Sequence, residues 1–291
     1  MSSDYLRLDL TDEQCALISA HTPYRFHTIQ IPSETASSAE TTAVGKSSTE
    51  LLLEPYLPLP FTNTTATPLI LTPQRPTDVP RIVEALTDPA VGMQLIGPPW
   101  PFKAEDAHSW GEFLRAQAEE VFRDLRRRAD AVLADPNAEK GPVAGRWPIP
   151  APRTHSLRRA DTGEWAGDFG VNRWKFEDVV DEKERKRLID ENEAKEVFDP
   201  TVIWSYGFYL HPDLHGKGLM SLVLQSMLTT YFDDYLGANE VRGAAFASNP
   251  ASLKTQERCG LMRYSSFMED VSEGRGGGQK EVITLRRERP Q

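Results

Sequence analysis

The chain has 291 residues, 39% of them hydrophobic, and a formal charge of −10 at pH 7. That much apolar material supports a folded core, while the acidic balance argues against general affinity for nucleic acid, which wants a basic face. No apolar run approaches the roughly 20 residues of a membrane helix, and two cysteines, Cys15 and Cys259, are too few for a disulfide framework or a zinc cluster, so no metal is implied.

The first residues, MSSDYLRLDL, carry neither a basic nor an apolar leader segment, so a cytoplasmic protein is expected, with the nucleus as the other compartment open to it. Residues 1–65 read as an extension. Thr11 caps a short helix over the next seven residues, RFHTIQI has strand composition, and about 32–50 is a mobile Ser/Thr-rich linker without apolar periodicity. The proline-interrupted LLLEPYLPLPF that follows is expected to drape over the rest rather than form a regular element.

The main domain is expected over residues 66–291. Leu69–Leu71 is its first strand, and Pro76-Thr77-Asp78 opens a helix that runs to Leu86. Gly97–Phe102 is a stiff proline-rich loop, and Ala104–Leu133 carries the apolar spacing of one long helix. A second loop, Asp135–Pro152, leads to two strand-like runs flanking Asp161-Thr162-Gly163, hence a hairpin. About 176–200 is a charged, exposed helical insertion.

The stretch Val202–Tyr231 is the working centre. Val202–Leu210 is an apolar and aromatic strand stopped by His211-Pro212-Asp213. After His215-Gly216-Lys217-Gly218, apolar residues at Met220, Val223, Leu224, Met227, Leu228 and Tyr231 mark one helix face. Strand, glycine turn and helix together leave unpaired backbone N–H groups at the positive end of a helix dipole, a cradle suited to phosphate. The spacing matches neither nucleotide-loop signature, G-x-x-x-x-G-K-[ST] or G-x-G-x-x-G. Gly243–Ser248 follows as a strand, Asn249-Pro250 begins a helix ended by Cys259-Gly260, and Tyr264–Asp270 with Glu281–Arg287 form the last strand pair.

Three segments carry a family resemblance. His215–Met220 resembles the acetyl-CoA pyrophosphate loop, [QR]-x-x-G-x-[GA], of the GNAT acetyltransferase superfamily. Asn249-Pro250-Ala251-Ser252 with Cys259-Gly260-Leu261 resembles the N-x-x-S…G-[FL] motif of its Rim-type branch, which modifies ribosomal proteins. Leu69–Pro73 with Thr77-Asp78 and Leu86–Pro89 resembles that branch's first strand and helix start. The resemblance implies an α/β fold of the α+β kind, a mixed, mostly antiparallel sheet of about seven strands flanked by helices. It also implies transfer of acetyl from acetyl-CoA, as co-substrate, to a primary amine. A protein N-terminal amine is the first expectation for the acceptor and a small-molecule amine the alternative, with a non-catalytic acyl-CoA-binding module as the reading from another class. A homodimer is compatible with the chain.

By the same resemblance, the main chain of Phe208, Tyr209 and Leu210 holds the acetyl carbonyl and pantetheine, and that of His215, Gly216, Lys217, Gly218, Leu219 and Met220 holds pyrophosphate. Asn249 helps hold pantetheine and Ser252 protonates the leaving thiolate. Trp100 and Phe102 are the candidates for lining the acceptor pocket. His215, Met220 and Gln256 depart from the pattern, Gln256 standing where many relatives have tyrosine, and Leu222 stands where Rim-like helices often carry Glu. The base is therefore sought among the residues themselves: Asp168, a polar residue on an apolar hairpin strand, comes first, and His211, at the strand end, second.

Overall fold

The structure is a computed structural model that describes residues 5–32, 49–61, 68–135 and 145–289. Among the described residues nine strands form one sheet in the order β1-β2-β3-β4-β5-β6-β7-β9-β8. They are β1 (Arg25–Pro32), β2 (Thr49–Pro58), β3 (Leu69–Thr72), β4 (Ser156–Arg159), β5 (Trp165–Arg173), β6 (Ile203–Leu210), β7 (Glu240–Phe246), β8 (Met262–Asp270) and β9 (Gln279–Glu288). Every neighbouring pair is antiparallel except β6–β7, which is parallel. The helices are α1 (Asp12–His21), α2 (Val79–Thr87), α3 (Pro89–Gly92), α4 (Ala104–Ala134), α5 (Glu182–Ala194), α6 (Leu219–Ser226) and α7 (Pro250–Arg258).

The mixed, mostly antiparallel sheet matches the expected fold class, with two strands more than the seven anticipated. The extra pair is β1 and β2. The LLLEPYLPLPF segment, expected to drape, is in fact the body of β2, paired with β1 from Thr49 to Tyr56. Proline is tolerated because β2 meets β3 only at Leu57 and Pro58; over the rest of its length one side has no strand beside it to receive an N–H. Residues 33–48 of the expected linker lie outside the described residues, as do residues 136–144 of the second loop.

Local signals place the helices. Thr11 and Gln14 complete a capping box at the start of α1, each side chain meeting the other residue's backbone N–H. Asn249 caps α7 by accepting the Ser252 N–H at 3.1 Å. Past Ser226, α6 widens into a π-helical stretch, Met227–Leu236, whose buried residues come in pairs four apart: 227–228, 231–232 and 235–236. These side chains join Trp204, Tyr24, Phe122 and Trp147 in the main core. A smaller cluster gathers Val79, Ile82, Leu86, Val91, Phe102 and Trp165 beneath α2 and α3.

Two polar anchors fix the frame. Arg158 on β4, 2% exposed, grips Asp78 with two bonds of 2.9 and 2.6 Å, tying the hairpin to the start of α2. The α5 insertion is exposed and charged as expected, but Asn192 pins it: its amide bonds both the N–H and the C=O of Ile203 at 3.0 and 2.9 Å, as a neighbouring strand would.

Candidate functional site

The parallel β6 and β7 are paired only from Ile203–Glu240 to Ser205–Arg242, after which the strands part. Between them opens a cleft with a cavity volume of about 440 Å³, walled by Tyr206–Leu210 on one side and Ala244–Phe246 on the other. His211 and Ile203, both odd-numbered, bond across to β5 through Ala166 and Trp174. Alternation in an antiparallel ladder therefore turns the main-chain groups of Phe208 and Leu210 away from β5, toward the cleft, whereas those of Tyr209, expected to join them, face Asp168 on β5.

The turn below the cleft is shaped by two glycines. Gly216 and Gly218 have φ of +73° and +72°, and a methyl group on either would meet no atom within 4 Å, so both the left-handed backbone and the open space above it favour glycine. Among the described residues, the amides of Gly216, Lys217, Gly218, Leu219 and Met220 have no internal acceptor. The His215 amide differs: it donates to the Pro212 carbonyl at 3.1 Å, so the open row begins one residue later than the sequence implied. The His215 ring instead bonds the Leu210 carbonyl at 2.9 Å, and Lys217 folds back onto the Asp213 carbonyl. Met220, a departure from the pattern, packs into the core at 7% exposure and leaves the amides open.

Alternate side chains of β6 point to opposite faces. Tyr206 lies on the α7 face, where its hydroxyl donates to Gln256 Oε1 at 3.0 Å; Gln256 Nε2 in turn donates to Ser252 Oγ at 3.2 Å. Ser252 and Asn249 both line the cleft. Tyr209 lies on the α2–α3 face, packed against the smaller cluster and Trp165. Asp168 stands opposite Tyr209 in the β5–β6 register, hence on that same face. Loss of hydration pushes the Asp168 carboxyl up to about 7. Burial, with that carboxyl beside it, holds the Tyr209 phenol well above its ordinary value.

Contrary to expectation Asp168 does not itself line the cleft but sits behind Tyr209, which does, and three further expected residues are also placed outside it. His211, 4% exposed, is held behind the strand end, Nδ1 at 2.8 Å from Asp213 and Nε2 at 3.3 Å from Glu84. Phe102 is buried in the smaller cluster, and Trp100 packs over Gly92 and beside Gly274; neither lines the cleft. Their wall is supplied instead by Ala90, Val91, Gln94, Leu95 and Ile96. Among the cleft residues that escaped the sequence reading are Gln94, Lys254 and Arg258. Gln94 presents a buried Oε1 that has no partner among the described residues; nothing in its sequence neighbourhood signalled it. Lys254 and Arg258 line the cleft from α7, and their i, i+4 spacing after the Asn-Pro cap was the available signal.

The family model described as "Acetyltransferase (GNAT) domain" matches residues 68–262, more than half of the chain. No curated protein matches it in sequence. Among solved structures, Mycobacterium smegmatis RimJ in complex with CoA-disulfide is similar at 12% identity and a TM-score of 0.48, over 80% of this chain and 86% of that one. Ribosomal-protein-S5-alanine acetyltransferase from Vibrio fischeri is similar at 11% identity and a TM-score of 0.46, over 76% and 92%. A GNAT-family acetyltransferase from Bacillus anthracis gives 12% and 0.46, over 76% and 94%.

Proposed function

The chain belongs to the GNAT acetyltransferases, and we propose that it moves an acetyl group from acetyl-CoA to a protein N-terminal amine by direct attack. The observation that carries this reading is the row of five acceptor-free amides, Gly216 to Met220, opening onto a cleft between two parted strands. Such a row at a helix N-terminus suits a diphosphate. The cation side chains of Lys254 and Arg258, along the same cleft, suit further phosphate. Main-chain groups at Phe208 and Leu210 are then in line to bond a pantetheine arm and polarise the thioester carbonyl.

In this scheme Asp168 takes the proton that the amine loses as its nitrogen attacks the carbonyl carbon. Ser252 supplies a proton to the sulfur as the carbon–sulfur bond breaks. Asp168 returns its proton to solvent and Ser252 regains one from it, so the exchange balances. A base of about 7 matches an α-amine, whose ordinary pKa is about 7.7–8.0, better than the amine of a lysine at about 10.4. That match, with the Rim-like motifs, favours a protein N-terminus over a small polyamine.

Calorimetric titration with acetyl-CoA, followed by thiol release in the presence of peptides with free or blocked N-termini and of spermidine, tests the reading. Binding, with release driven only by free α-amines, is the expected result. Release with spermidine alone would move the acceptor to small amines, and absence of acetyl-CoA binding would sink the proposal.

A further inference from the structure

Gln256 occupies the place where many relatives carry tyrosine, yet it is 1% exposed and bonded at both ends. Its amide hydrogen-bonding is one-directional. The Tyr206 hydroxyl donates to Oε1, and Nε2, which has only protons to offer, donates to Ser252 Oγ. Ser252 Oγ is thereby occupied as an acceptor from the protein side, and its own hydrogen is left to point into the cleft that it lines. The chain of donors runs Tyr206 O–H, Gln256 amide, Ser252 O–H, all in the same sense, and each bond strengthens the next.

Resting on the acetyl-transfer reading above, we propose that Gln256 is a positioning residue for thiol departure: backed by Tyr206, it aims the Ser252 hydrogen at the leaving sulfur and stabilises the Ser252 oxygen as that hydrogen is given up. The phenol is suited to its task because burial holds its proton firmly, keeping Tyr206 a donor. Close packing keeps the relay in register: a methyl group on Gly243 would lie 2.0 Å from Gln256 Oε1 and 2.6 Å from the Tyr206 oxygen, so no side chain larger than glycine fits behind it.

Gln256→Glu is the sharp test, since it keeps the shape and reverses the polarity. A carboxylate accepts from Ser252 and draws its hydrogen inward, away from the cleft. With acetyl-CoA and the free α-amine peptide of the preceding assay, Q256E should bind acetyl-CoA within about twofold of the wild type while kcat falls about 10- to 100-fold. The ratio of wild-type to Q256E kcat should narrow as pH is lowered and the new carboxyl takes up a proton. Tyr206→Phe should lower kcat less, in the same direction and with KM for acetyl-CoA kept; it carries the test if Q256E does not fold. A loss of kcat equal at every pH, or a loss confined to KM, marks a merely structural role and overturns the proposal. So does wild-type kcat in both variants. If the wild type releases no thiol with any amine, the transfer reading falls, and this inference with it; turnover by the wild type with unaltered variants overturns the relay alone.

Discussion

At the scale of single residues, the proposed chemistry turns on a carboxyl left without compensation. Glu54 and Asp78 are buried against Arg75 and Arg158, and His211 is boxed between Asp213 and Glu84. Asp168, by contrast, meets dehydration with no cation among the described residues to offset it, and that imbalance lifts it to about 7. Two outcomes follow from the sign of this shift. If Asp168 is the base, as proposed, it must be ionised, so kcat/KM should climb through about pH 7 and level off above it, and Asp168→Asn should lose about 10²- to 10⁴-fold in kcat with acetyl-CoA binding retained. For stability the direction is opposite. The folded state holds a proton that the unfolded chain, with an ordinary Asp of about 3.9, releases; stability is greatest below about pH 4 and is lost as pH rises to about 7. The Tm of D168N should therefore exceed that of the wild type at pH 8, with the gap closing toward pH 4. A wild-type Tm that stayed level with D168N across that range would contradict the shift. Asp168 was legible as a polar residue on an apolar strand; the Gln94 oxygen, buried and without a partner among the described residues, was not, because only packing creates that state.

At the scale of elements, the turn from β6 to α6 is the most sequence-determined piece of the molecule. A proline stops the strand, two glycines permit left-handed backbone, and an apolar helical face follows. Since a methyl group at Gly218 meets nothing within 4 Å, Gly218→Ala carries only the cost of a left-handed L-residue, about 1–2 kcal/mol. The added methyl would, however, stand in the space above the free amides. Acetyl-CoA affinity in G218A should drop by about tenfold or more, equivalent to about 1.4 kcal/mol, while the drop in stability seen by urea unfolding stays within the strain cost. Unchanged affinity in calorimetry would remove the turn from the coenzyme site. The same local chemistry made the caps of α1 and α7 readable, because a cap needs only residues within one turn of each other. It could not show that the His215 amide is already used by Pro212.

At the scale of the whole molecule, the amino-terminal segment is built into the body it precedes. Leu6, Ile18 and Tyr24 are 5%, 0% and 0% exposed and belong to the main core, and the Tyr24 hydroxyl accepts the Arg153 N–H at 2.9 Å. Burying three such side chains at about 2–5 kcal/mol each is comparable with the entire stability of a domain, about 5–15 kcal/mol. A chain lacking residues 1–32 should accordingly show no cooperative melt by near-ultraviolet circular dichroism; a sharp transition near the wild-type Tm would show the segment to be an appendage. Sequence alone determined the order of strands and helices from Leu69 onward, the glycine turn and the helix caps, since each is decided by neighbours a few residues apart through periodicity, backbone freedom and local hydrogen bonding. Tertiary structure alone decided that β2 joins the sheet, that β6 and β7 part to form a cleft, that Trp100 and Phe102 stay outside it, and that Tyr206 reaches Gln256. Those facts depend on groups far apart in the chain competing for the same space and the same hydrogen bonds, and no local pattern records which of them wins.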